Sequence, residues 1–167
     1  MLIRTESPAD ILVIDQLLKR IFPTEAEANL VMQLRENSHL TLSLIACSEE
    51  GEIVGHVMFS PVMLDEEDHY WQGLAPLAVA AEYRQQGIAS SLVTEGLCSL
   101  NELGYPACVV LGDRRFYEKF GFIPAHPKGY RNQWVQDGDA FQIVELHTGA
   151  LDNKSGLVRY CAEFDTL

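Results

Sequence analysis

The 167-residue chain has no apolar run approaching the length of a membrane span, and its first residues lack a signal-peptide pattern. These absences predict a cytoplasmic protein with no membrane attachment. Basic residues are scarce. Lys and Arg number 12 against 24 Asp and Glu, and the net charge of -12 argues against a nucleic-acid partner, whose phosphates need a basic face. Cys47, Cys98, Cys108 and Cys161 lie far apart without a C-x-x-C pair, so neither a disulfide framework nor a metal site is expected. Three of them sit within apolar segments and read as small hydrophobes in a reducing compartment. Neither G-x-x-x-x-G-K-[ST] nor G-x-G-x-x-G is present, which weakens a nucleotide-binding reading. There is also no internal repeat and no linker long enough to split the chain. A hydrophobic content of 47% predicts one domain with a sizeable core, residues 1–167.

The chain is organised around Leu77 to Val93, which reads as an apolar strand, a polar turn, Gly87 and an amphipathic helix. Leu92, Val93, Gly96, Leu97, Leu100 and Leu103 recur at three- and four-residue steps, the stripe of a helix buried on one side. Ala89, Ser90 and Ser91 leave the helix start uncluttered. The first N–H groups of a helix have no intrahelical acceptor, and the macrodipole adds positive charge there, so such a turn suits a phosphorylated ligand.

Arg84-Gln85-Gln86-Gly87-Ile88-Ala89 fits the [Q/R]-x-x-G-x-[G/A] pattern of the GCN5-related N-acetyltransferases, and Phe116-Tyr117 through Gly121-Phe122 resembles that family's FYxxxGF segment. Two matches in order, with strand and helix signals around the first, make the resemblance specific. It implies an α/β acyl-CoA N-acyltransferase fold in a single domain. The expected sheet is mixed and mostly antiparallel, with about six or seven strands, flanking helices and a splay between the fourth and fifth strands. It implies acetyl-CoA as cosubstrate and a small-molecule or protein amine as acceptor.

The remaining elements follow from local signals. Leu2-Ile3-Arg4 is a short strand, and Ser7-Pro8 starts a helix whose stripe is Ile11, Ile14, Leu17, Leu18 and Ile21. Thr24 to Glu27 is a capping-box signature for a second helix burying Leu30, Val31 and Leu34. Leu42 to Cys47 and Ile53 to Val62 flank a hairpin turn at Glu49-Glu50-Gly51. Asp65 to Asp68 reads as an exposed turn kept soluble by charge, and Tyr70 to Val79 as a strand interrupted by Gly73 and Pro76. Ala107 to Leu111 is a buried parallel strand, Arg114 to Phe120 two helical turns, and Phe122-Ile123 a strand broken by Pro124. Residues 126–139 read as a loop, Phe141 to Leu146 as a final alternating strand. The core then spans about 1–147, with 148–167 an extension of uncertain structure. Apolar patches on the final strand or tail are where two copies would pair.

For the chemistry, the resemblance implies that Leu77, Ala78 and Val79 hold the pantetheine arm and that the turn residues Gln85, Gln86, Gly87, Ile88, Ala89 and Ser90 bind the diphosphate, with Arg84 either pairing with a phosphate or lying on the surface while the backbone binds. It also implies Tyr117 as general acid on the CoA thiolate; the alternative for Tyr117 is a core aromatic beside Phe116 and Phe120. No carboxylate occurs between Tyr70 and Val79, where some family members carry their general base. His56, Asp113 and a water relay remain open for that role. His56 also reads as a satisfied core histidine, Asp113 as a helix cap, and Glu25 and Glu27 as either caps or cation holders. Residues 1–83 hold 14 acids and 4 bases, whereas 84–119 hold 4 of each, so the cofactor segment is expected to escape the negative field. An acidic face draws a cationic amine within about 8 Å at cellular salt, or simply solvates the surface. A non-catalytic acyl-CoA sensor is the reading from a different class.

Overall fold

The computed structural model describes residues 1–135 and 138–167, so Gln136 and Asp137, within the expected loop 126–139, lie outside the described residues. The described residues form nine strands, β1 (Leu2–Thr5), β2 (Leu42–Cys47), β3 (Ile53–Leu64), β4 (Gln72–Val79), β5 (Ala107–Leu111), β6 (Ile123–Pro124), β7 (Tyr130–Asn132), β8 (Phe141–Glu145) and β9 (Gly156–Tyr160). They pair in the order β1-β2-β3-β4-β5-β8-β6, with β9 on β3 and β7 on β9. The chain divides into two compact units. The first is Met1–Ser60, Ala75–Gly96 and Ala162–Leu167; the second is Pro61–Leu74 and Leu97–Cys161.

In the first unit, β1 (Leu2–Thr5), β2 (Leu42–Cys47) and the start of β3 (Ile53–Leu64) are antiparallel neighbours. Successive side chains of β3 point to opposite faces, and each face has its own helical cover. Gly55 meets α3 (Ile88–Glu102): a Cβ there would lie 3.1 Å from Leu92 Cδ1 and 3.2 Å from Ile88 Cγ2. One turn further along, a Cβ on Gly96 would lie 2.5 Å from the Phe59 ring. These two glycines let helix and strand approach closely, which fixes where α3 begins. His56 points the other way, towards α2 (Ala26–Glu36), whose Arg35 pairs with Glu6.

Helix α1 (Ile11–Ile21) buries Ile14, Leu17 and Leu18, while Ile11 and Ile21 at its ends are half-buried. Leu30, Val31 and Leu34 of α2 are buried as the periodicity predicts. Each such side chain contributes about 1.5–3 kcal/mol of burial. The capping box at Thr24–Glu27 does not form. Thr24 Oγ1 accepts from the Ala26 N–H at 3.3 Å, the helix starts one residue late, and neither glutamate caps it. The chain's last turn, Ala162–Thr166, is tied to the end of α2 because Glu163 accepts from Asn37 Nδ2 at 3.1 Å and meets His39 Nδ1 at 2.5 Å.

In the second unit, the start of β4 (Gln72–Val79) pairs in parallel with β5 (Ala107–Leu111) only from Gln72↔Cys108 to Leu74↔Val110. The ladder ends before Pro76, as the missing proline donor leads one to expect. On its other edge β5 pairs with β8 (Phe141–Glu145), which pairs with β6 (Ile123–Pro124). Two strands lie where none was expected. β7 (Tyr130–Asn132) falls inside residues 126–139, and β9 (Gly156–Tyr160) falls inside the tail. They account for nine strands among the described residues rather than six or seven. The acidic turn has a structural duty besides solubility: Asp65 Oδ1 accepts the Leu157 N–H at 2.9 Å and Asp68 the Tyr70 N–H at 2.8 Å. Leu103, placed on the buried stripe of α3 by periodicity, is 63% exposed because the helix ends at Glu102.

Candidate acetyl-donor site

After β4 a short helical turn, Ala81–Tyr83, leads into the segment Arg84–Ser90. Gln85 and Gly87 adopt left-handed conformations, φ +62° and +82°, while Gln86 between them does not. Alternating handedness turns successive N–H groups towards one concave side, an anion-binding nest. The first helical bond of α3 runs from the Ser91 N–H to the Gly87 carbonyl at 3.0 Å. Among the described residues, no acceptor meets the N–H groups of Gln85 through Ser90. A Cβ at Gly87 would meet nothing within 4 Å, so the concavity is not plugged.

This turn lines a cavity of about 460 Å³ with Met1, Ser48, Glu49, Glu50, Tyr83, Gln86, Ile88 and Ser91. Glu49 and Glu50 correct the expectation from charge counting. Distant in sequence, they are brought to the turn by the β2–β3 hairpin, so the turn is not spared negative charge. Arg84 is not among the residues that line this cavity, and its Nε donates to the Val79 carbonyl at 3.2 Å. Leu77 is half-buried, and Ala78 and Val79 are buried at the end of β4.

In the second unit, Asp113 caps α4 (Arg114–Tyr117) by accepting the Arg115 N–H at 2.9 Å. Tyr117 is 8% exposed, edge-on to Phe116 at 4.9 Å and to Phe122 at 5.6 Å. Gly112 makes room for it, since a Cβ there would sit 2.5 Å from Tyr117 Cε2. Burial, with a smaller effect of Cys108, pushes the phenol pKa up to about 12. The group is therefore a neutral O–H donor across the physiological range.

The other candidates are occupied or sealed. His56 is fully buried, with Nε2 2.9 Å from Ser43 Oγ. Ser43 in turn donates to Glu6 Oε1 at 2.5 Å, and Arg35 grips that carboxylate through two bonds of 2.9 Å. With its proton given to Glu6, Ser43 accepts from His56, so the imidazole carries its hydrogen on Nε2. Nδ1 has no partner among the described residues. Desolvation pushes the His56 pKa down to about 4 despite nearby Glu6, so the ring is neutral. Glu25 is exposed, whereas Glu27 has one carboxylate oxygen buried without a partner among the described residues. Read from the sequence, Ser91 and the two hairpin glutamates have only local structural roles, and Gln142 has none beyond its place in a strand. Only the last had a signal, a polar residue between Phe141 and Ile143, and alternation turned it to solvent.

Residues 41–124 match the family model described as an acetyltransferase (GNAT) domain. The chain is 50% identical over 165 residues to the uncharacterized N-acetyltransferase YhbS of Escherichia coli strain K12, spanning 99% of each. It resembles the crystal structure of E. coli YhbS in complex with CoA, with a TM-score of 0.94 at 49% identity over 98% of this chain and 91% of that one. A GNAT family acetyltransferase of Brucella melitensis in complex with acetyl-CoA superposes with a TM-score of 0.82 at 33% identity, covering 98% and 97%. The chain belongs to the GNAT acetyltransferase family and has its fold. No helix among the described residues is long and apolar enough to cross a membrane.

Proposed function

We propose that this protein transfers the acetyl group of acetyl-CoA to a primary amine by direct attack, with the Gly87 turn holding the diphosphate and Tyr117 protonating the departing CoA thiolate. The observation that carries the reading is the run of N–H groups from Gln85 to Ser90 with no acceptor among the described residues, arranged by two left-handed residues at a helix start. A diphosphate satisfies those donors. The CoA and acetyl-CoA complexes of the two relatives support the same choice of cosubstrate.

Attack by a neutral amine on the thioester carbonyl produces a thiolate that must take up a proton. Backbone groups of Leu77, Ala78 and Val79 hold the pantetheine in this reading. A phenol at about 12 facing a thiol of ordinary acidity leaves a gap of roughly 3.5 in pKa, ~5 kcal/mol, against full transfer in water. Proton movement is therefore coupled to C–S cleavage, where the thiolate is itself desolvated. The amine's proton leaves through water, since His56 is sealed and Asp113 is engaged as a cap. The acceptor is a small molecule or a protein amine.

Calorimetry with acetyl-CoA tests the donor site: Gly87→Glu should abolish binding, and equal affinity would remove its basis. Tyr117→Phe should lower turnover while leaving acetyl-CoA affinity unchanged. The lack of a carboxylate on β4 favours a second reading, an acyl-CoA sensor. Binding without CoA release across an amine panel would decide for it.

A further inference from the structure

Gln142 is fully buried on β8. Its Nε2 donates to the Gly112 carbonyl at 3.2 Å and to the Ala140 carbonyl at 3.3 Å. Both neighbours only accept, so the amide has one workable orientation, with the NH2 facing them and Oε1 turned away. Oε1 has no partner among the described residues, and that loss is tolerated for what the other end of the amide does. The Gly112 N–H donates to the same Ala140 carbonyl at 3.0 Å. The Gly112 residue is thus held at its nitrogen by Ala140 and at its carbonyl by Gln142.

Gly112 is also the surface on which the Tyr117 ring rests, with no room for a Cβ between them. It immediately precedes Asp113, the cap of the short helix that carries Tyr117. A four-residue helix has little rigidity of its own. The phenol's placement therefore depends on the anchored glycine. We propose that Gln142 is a positioning residue: its two N–H bonds hold Gly112 against the Tyr117 ring and thereby set where the hydroxyl stands during acetyl transfer. The proposal rests on the reading of Tyr117 as general acid.

Gln142→Met keeps side-chain length and removes both donors. With tyrosine labelled at Cζ, six NMR lines report the six tyrosines, and Tyr117→Phe identifies its own by deletion. In Gln142→Met the Tyr117 line should shift or broaden while those of Tyr70, Tyr83 and Tyr105 stay in place. CoA release from acetyl-CoA with spermidine, kanamycin or L-lysine should show kcat lowered about tenfold, a fraction of what acid catalysis contributes. The KM for acetyl-CoA should stay constant, and the loss should vanish in a Tyr117→Phe background, whereas a merely structural defect would persist there. An unmoved Tyr117 line, or equal losses in both backgrounds, overturns the proposal. If Gln142→Met does not fold, Gln142→Asn, which shortens the reach by one methylene, is read by the same line. Unimpaired turnover in Tyr117→Phe would refute the acid assignment instead, and the NMR line separates the two failures.

Discussion

The buried histidine makes acid lability calculable. His56 has an ordinary pKa of 6.5 when exposed and about 4 in the fold. A base whose folded pKa is depressed binds more protons unfolded than folded between those values. Its contribution to stability is therefore complete above pH 6.5 and is lost as pH falls towards 4. From these two values the loss is about 2 kcal/mol at pH 5 and levels off at about 3 kcal/mol at pH 4 and below. Glu6, lowered by its bonds to Arg35 and Ser43 against the opposing effect of burial, adds a loss with the same sign at lower pH. The difference between variants isolates the histidine. His56→Gln keeps an amide N–H for Ser43 and cannot ionise. Urea unfolding followed by tryptophan fluorescence at pH 7.5, 6, 5 and 4.2 should show the native protein losing stability faster than His56→Gln, by the amounts above. Parallel profiles would refute the sealed, neutral imidazole.

Gly96→Ala should lower the thermal midpoint, because its Cβ would lie 2.5 Å from the Phe59 ring. Overpacking of about 1–3 kcal/mol outweighs the roughly 1 kcal/mol gained in helix propensity, and an unchanged or higher midpoint would count against the close approach of α3 to β3. Asp113→Ala removes the cap of α4 and should cost about 1 kcal/mol in a urea titration. No change in that midpoint would show that the cap contributes nothing.

Legibility in the sequence followed the range of the interaction. The Gly87 turn was readable because its geometry comes from neighbours along the chain: a glycine, small residues and a helical stripe. The limits of β2 and β5 were readable for the same reason, as compact apolar runs. β7 and β9 were not. Three- and five-residue strands take their order from partners far away in sequence, and each is too short to display a period. Gln142 was misplaced because alternation assumes one wet face. β8 has neighbours on both edges and four buried residues in succession, so its glutamine turns to backbone carbonyls instead of water.

The same distinction bears on the donor site. Its N–H groups carry no net charge, and the formal charges beside them in the cavity include Glu49 and Glu50. A chain of net charge -12 does not draw in a polyanion by its long-range field. Capture has to come from short-range hydrogen bonds and the dipole of the helix start, which fall off within a turn and demand the correct backbone shape. Gln85 and Gly87 supply that shape through their left-handed conformations, and Gly55 and Gly96 supply it by seating α3 on β3. In the proposed reading, recognition of the cosubstrate is thus a property of backbone placement, set in part by residues on a strand that precedes the turn by some thirty positions. The proposed amine acceptor, by contrast, is cationic in solution and is favoured by an acidic surface within about 8 Å at cellular salt. One charge distribution thus acts in opposite directions on the two proposed substrates, and only the one held by backbone needs a preformed turn.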